Sequence, residues 1–118
     1  MDDVMKINET LKALALRVLS EKCDHLVMSR LKEQMLEAVI QFNRFNAKHE
    51  RQDSLRNAIE ALDDVRALLK MAVELKCVEY DNFKEYEDQS HQIVKMMVSE
   101  MNIFKRGEKK FFPRSEYT

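Results

Sequence analysis

One glycine and one proline in 118 residues leave little with which to build turns. Antiparallel β architectures depend on Gly, Pro and Asn-Gly signals between short strands, so a turn-rich β fold is excluded. A single glycine also rules out the glycine-rich loops that cradle phosphates. No apolar run approaches the roughly 18 residues that a membrane-spanning helix needs. Nothing at the start of the chain has the pattern of a signal peptide. With only two cysteines, Cys23 and Cys77, the reading is a cytoplasmic protein with both thiols reduced. What is abundant points one way. The chain is 45% hydrophobic and 35% charged, and rich in Leu, Met, Ala, Glu and Lys, the residues of an all-helical domain. Its length suits one domain with one core.

Four stretches carry a 3.6-residue apolar period. In the first, Val4, Ile7, Leu11, Leu14 and Val18 form a stripe, with Leu16 and Leu19 beside it. "SEKCDH" marks a break near residues 21 to 24, with Asp24 as the expected N-cap of the next helix. In the second, Met28, Leu31, Met35, Ala38, Val39, Phe42 and Phe45 share a face, and Leu36 and Ile40 lie off it. "NAKHERQD" interrupts the period, and Asp53 or Ser54 is placed to cap a third helix over 54 to 77. That helix carries Leu55, Ala58, Ile59, Leu62, Val65, Leu69 and Val73 on one face. Ala61, Leu68, Met71, Ala72 and Leu75 extend the apolar surface around the cylinder. "CVEYD" is a short connection, and Asp81 is the expected cap of a fourth helix bearing Phe83, Tyr86, Ser90, Ile93, Met97, Met101 and Phe104. Gly107 and Pro113 then define a basic tail. The expected organisation is a bundle over 1–106 and a flexible tail over 107–118.

Similar helix lengths and short connections predict an antiparallel up-down-up-down four-helix bundle. Such a bundle buries one stripe per helix, which leaves apolar residues of the second and third helices without cover. Burying a leucine contributes roughly 1.5–3 kcal/mol, so the expected cover is another copy of the chain, in a closed homo-oligomer. Leu36, Ile40, Leu68, Met71 and Leu75 are the expected oligomer interface.

Catalytic and metal chemistry finds little to work with. Asp88-x-x-His91 is a loose cousin of the Glu-x-x-His pairs of di-iron bundles, which need two such pairs. Cys23-x-His25 offers half of a zinc site, with no second half at motif spacing. No Ser or Cys sits in a strand-turn-helix elbow, and Asp63 and Asp64 are adjacent in sequence, so they diverge on a helix. Neither catalysis nor a cofactor is expected. The eight methionines read as adaptable core filler.

Arg66 falls on the helical wheel among Leu62, Leu69 and Val73. An unpaired guanidinium there would be costly. It therefore needs a carboxylate, Asp63 or an acid on a neighbouring helix, or else it is a cation at a subunit contact or central channel, where Lys70 could join it. Arg44, Lys48, Arg51 and Arg56 are interleaved with acids, a pattern shared by solvated faces and by weak nucleic-acid surfaces that gain from repetition. In the tail, Lys109, Lys110 and Arg114 flank Phe111 and Phe112, residues that can stack on bases or enter a protein groove. Residues 105–118 carry a net +3 and the remainder −4, within an overall charge of −1.

The third and fourth stretches together resemble a known family. Leu62, Asp63, Val65, Arg66, Leu68, Leu69, Lys70, Met71 and Ala72 follow a Leu-Asp-x-Leu-Arg-x-Leu-Leu-Arg-Leu-Ala-like helix. After a short loop with an aromatic residue, Ile93, Val94, Lys95, Met96 and Met97 follow an Ile-Gly-Arg-Met-Leu-like run. This is similar to the accessory variability determinant (Avd) proteins of diversity-generating retroelements, and to the related four-helix-bundle proteins encoded in ribosomal RNA intervening sequences. The resemblance implies a pentameric barrel of four-helix bundles around a central channel, without catalysis of its own. By that resemblance it binds a reverse transcriptase and its template RNA, with Arg66 and Lys70 in structural or nucleic-acid-facing roles. The chain departs from the pattern in Val94, where the family has Gly, and in its near-neutral charge. A body of −4 favours contact with a basic reverse transcriptase over contact with RNA. Two other readings stay open: an intervening-sequence-type bundle of unassigned role, and a helical adaptor that binds a partner helix through its apolar surface.

Overall fold

The computed structural model describes residues 3–47 and 51–105. Four helices follow one another: α1 (Asp3–Leu19), α2 (Leu26–Asn46), α3 (Arg51–Glu74) and α4 (Tyr80–Lys105). Among the described residues, α1 packs on α2, α2 on α3, α3 on α4 and α4 back on α1, and neither diagonal pair meets. With such short connections this is the expected antiparallel four-helix bundle. Its dimensions of 49 × 22 × 19 Å are those of four rods in a square, two helix diameters on a side.

The sequence stripes become the core. Ile7, Leu11, Leu14 and Val18 from α1 are buried, as are Met28, Leu31, Met35, Phe42 and Phe45 from α2. Leu55, Leu62, Val65 and Leu69 from α3 meet them, with Tyr86, Ile93, Met97 and Met101 from α4. Val4, Val39, Ile59 and Phe83 pack half-buried at its edges. The α2–α3 contact is the most extensive. Both helices bury alanines (Ala38 on α2; Ala58, Ala61 and Ala72 on α3), whose small side chains permit close approach of the axes.

The helix ends differ in detail from the sequence expectation. His25, not Asp24, caps α2: its backbone is extended (φ −110°, ψ 150°) and its Nδ1 accepts from the Val27 N–H at 3.0 Å. A neutral imidazole nitrogen supplies the same lone pair as a carboxylate, one residue later. α3 starts at Arg51, so Asp53 lies in its first turn and Ser54 is buried within the helix. α4 starts at Tyr80, which moves the cap to Glu79, whose carbonyl accepts from the Phe83 N–H at 2.8 Å. Asp81 instead favours the positive end of the helix from its first turn. The Gly107 stop and the tail lie outside the described residues.

α3 ends at Glu74, three residues before the expected limit, in a paired-hydrogen-bond turn. The Cys77 N–H reaches the Ala72 carbonyl at 2.8 Å and the Lys76 N–H reaches Val73 at 3.1 Å. This is a Schellman motif, with Lys76 at the left-handed position (φ 62°) that glycine usually fills. A lysine there costs about 1 kcal/mol because its Cβ crowds the carbonyl. The substitution Lys76→Gly is therefore expected to raise stability by about 1 kcal/mol in urea denaturation, whereas Phe42→Ala, in the fully buried core, is expected to lower it by about 3–5 kcal/mol.

Candidate partner-binding face

The square bundle has room for one stripe per helix, and the surplus stays outside. Leu36 and Ile40 on α2 are each 47% exposed; on α3, Met71 is 52% and Leu75 47% exposed. Leu68 is half-buried against the edge of the core. Leu36 and Ile40 are one turn apart on one face of α2, and Leu68, Met71 and Leu75 share a stripe on α3 by the same spacing. Two members of the second apolar set on α3, Ala61 and Ala72, are buried; the larger ones are not.

The rim around these residues is charged. Exposed Asp64 and Glu74 lie a helical turn from Leu68 and Met71. Exposed Glu33, Glu37 and Arg44 lie a turn from Leu36 and Ile40. Each exposed apolar group thus has charged neighbours a turn away along its own helix.

Arg66 is placed otherwise. It reaches across the α3–α4 contact to Glu87, Nη2 to Oε2 at 3.3 Å, with the two side chains 28% and 22% exposed. The acid on a neighbouring helix is thus the partner, and Asp63 stays exposed. Arg66 Nε, Glu87 Oε1 and the Ser90 hydroxyl, a turn from Glu87, are buried without hydrogen-bond partners. Lys70 is exposed, as is Arg44; Arg56 is held by Asp53 at 3.0 Å. Arg51 begins α3, and Lys48, Lys109, Lys110 and Arg114 lie outside the described residues. Among the described candidates, Arg56 and Arg66 are each paired with a carboxylate inside the chain, and Lys70 and Arg44 stand on different helices.

Two features at the opposite end of α2 and α3 from their shared loop were not anticipated. The first is polar. The Tyr86 hydroxyl of α4 donates to Glu21 Oε2 at 2.5 Å, and Arg17 of α1 lies over the Tyr86 ring at 5.0 Å while pairing with Glu85 at 2.7 Å. Burial, reinforced by the bond to Glu21, pushes the Tyr86 hydroxyl from 10.0 up to about 12. The second corrects the expectation of two reduced thiols. Cys23, between α1 and α2, is joined by a disulfide to Cys77, between α3 and α4, with Cα atoms 5.2 Å apart. In an up-down-up-down bundle the first and third loops share an end. The signal was therefore in the topology, through one cysteine in each of those loops.

A groove of about 370 Å³ runs between α1 and α4 over Ala13, Ile93 and Met96, edged by Lys6, Arg17 and Asp88. No nucleophile stands beside a base there. Among the described residues no three His, Cys, Asp or Glu side chains gather as a metal site, and no helix is long and apolar enough to cross a membrane.

No family model matches the chain, and no curated protein matches it. A solved structure is similar in fold: a protein of unknown function from the S23 ribosomal protein family of Bacteroides thetaiotaomicron. The TM-score is 0.79 at 9% identity, over 86% of this chain and 99% of that one. At that identity the likeness establishes a shared bundle architecture.

Removing one member of the Arg66–Glu87 pair strands the other half-buried. Arg66→Met is expected to cost about 1–3 kcal/mol, and the double variant with Glu87→Met to recover most of it, in a urea double-mutant cycle. Tyr86 predicts a pH effect. Its folded pKa lies above its unfolded value, so the stabilisation is complete below pH 10 and is lost as pH rises through about 12. Thermal melts between those limits should show the loss in the parent protein, and Tyr86→Phe should lack that component.

Proposed function

We propose that the chain is a non-catalytic assembly protein of a diversity-generating retroelement. Copies of the bundle associate through α2 and α3, as a pentamer by resemblance, and the assembly binds the reverse transcriptase and helps to hold its template RNA. The observation that carries this reading is the exposure of Leu36, Ile40, Met71 and Leu75 on adjacent helices of an otherwise well-filled bundle. Covering the remaining half of four such side chains is worth roughly 3–6 kcal/mol per protomer, enough to drive association when the contact is repeated around a ring.

The charge supports a protein as the main partner of the assembled body. Arg17, Arg30, Arg56 and Arg66 are each paired with a carboxylate inside the chain. The solvent side of α3 carries Glu60, Asp63, Asp64 and Glu74, all exposed. A basic polymerase surface meets such a face favourably, whereas an RNA backbone is repelled by it. RNA contact then belongs to the repeated tail residues Lys109, Lys110 and Arg114. A second reading, the intervening-sequence type of bundle with the same assembly and no polymerase partner, is favoured by the fold neighbour, whose family carries a ribosomal name and whose function is unknown.

Sedimentation of the full chain at micromolar concentration tests the shared part. A closed oligomer is expected. Leu36→Glu with Ile40→Glu, or Met71→Glu with Leu75→Glu, should give a folded monomer, while Leu16→Glu, 62% exposed on the outside of α1, should leave the oligomer intact. A wild-type monomer overturns the proposal. Co-purification with a diversity-generating retroelement reverse transcriptase, with and without ribonuclease, separates the two readings.

A further inference from the structure

The Cys23–Cys77 bond and the Lys76 turn are one structural unit. Cys77 is the residue whose N–H closes the Schellman turn on Ala72, and the residue before it is held at φ 62°. Left to itself a lysine leaves that region readily, because only glycine occupies it without cost. The disulfide anchors the far side of the turn to Cys23, in the loop that leads into α2. Leu75, which the turn orients directly, and Met71, one turn earlier, are the exposed apolar residues of α3.

We propose that the disulfide is a redox latch on the end of α3. When it is closed, the turn at Leu75–Cys77 is fixed and the Met71–Leu75 stripe is presented as a rigid surface. When it is open, the last turn of α3 frays from its C-terminus and the stripe loses its shape. The co-reactant is a low-molecular-weight thiol of the glutathione class. Its thiolate attacks one sulfur, the Sγ–Sγ bond breaks, and the released thiolate takes up a proton. A second thiol resolves the mixed disulfide, so two small thiols become one small disulfide while Cys23 and Cys77 gain two electrons and two protons. Both cysteines are half-buried, not sealed in the core, which leaves a path for that attack. The bond spans a 54-residue separation, so opening it returns a large loop entropy to the unfolded chain. The consequence for docking rests on the assembly reading above; the latch itself does not.

The test uses the full chain in glutathione buffers of graded composition, with thiol counting after denaturation, hydrogen exchange and thermal melts. The closed form should show no free thiol. Reduction should expose two thiols, lower the melting temperature by roughly 10–20 °C and speed exchange at Val73–Val78 about tenfold, with exchange in the centre of α2 less affected. Cys23→Ser with Cys77→Ser should behave as the reduced protein under all buffers. Lys76→Gly, which holds the turn without the bond, should blunt the rise in exchange on reduction. Two free thiols even in the most oxidising buffer, or exchange at the α3 end that ignores the thiol state, overturns the latch. Sedimentation of the oxidised form reports separately on assembly: a monomer with redox-dependent exchange defeats the assembly reading and upholds the latch.

Discussion

Four helices arranged in a square enclose one core, and each can turn only one stripe toward it. This constraint decides most of the molecule. It selects Ile7, Leu14, Leu31, Phe42, Leu62, Leu69, Ile93 and Met97 for the interior, and it sends anything more than about 100° from those positions to the surface whatever its polarity. α3 shows the limit best. Its alanines on the flank of the stripe, Ala61 and Ala72, are buried, while Met71 and Leu75, too far round and too large, are not. The exposed apolar surface is thus a geometric remainder. A polar residue at those positions would cost the bundle almost nothing.

The same square geometry makes the two ends of the bundle unequal. One end gathers the start of α1, the end of α2, the start of α3 and the end of α4, whereas at the other the loops after α1 and α3 lie side by side. At that shared end four bonds join different parts of the chain: Tyr86 to Glu21, Arg17 to Glu85, Lys32 Nζ to the Glu21 carbonyl at 2.6 Å, and Cys23 to Cys77. Each ties α1 or the residues after it to another element. That matters because α1 is the shortest helix, 17 residues against 21 to 26 for the others. The polar and covalent ties offset what its length cannot supply.

The period of the apolar residues made the bundle legible, since a stripe of Leu, Met and Phe at 3.6-residue spacing has one stable use in a chain without turn residues. It also separated Leu36 and Ile40 from the core before any packing was seen, because both lie off the stripe of Met28, Leu31 and Met35. Caps were legible only to within a residue or two. Asp24 and His25 both carry an acceptor, and the choice between them depends on backbone angles that composition does not encode. The destination of Arg66 was legible in kind but not in partner, because wheel position shows that a guanidinium needs an acid and cannot show that α4 brings Glu87 opposite. The pairing of the thiols was legible only through the topology, because a count of two cysteines says nothing of their separation, whereas an up-down-up-down order brings the loops that hold Cys23 and Cys77 to one end.

Charge placement then bears on what kind of surface can meet this one. Ion pairs within the chain do not merely stabilise weakly at exposed positions; they also remove cations from any external contact. Arg56 bound to Asp53 and Arg30 bound to Glu33 each present a near-neutral unit to a partner, so on the described surface of α2 and α3 the exposed carboxylates Glu60, Asp63, Asp64 and Glu74 outweigh exposed Lys70 and Arg44. Beside them lie Met71 and Leu75, apolar and polarizable. A polyanion gains little from that combination, because exposed Lys70 and Arg44 are outnumbered there by exposed carboxylates. A partner with a basic rim and an apolar centre gains twice, once by burial and once by steering. The physical case for a protein on this face is therefore stronger than the case for nucleic acid on it.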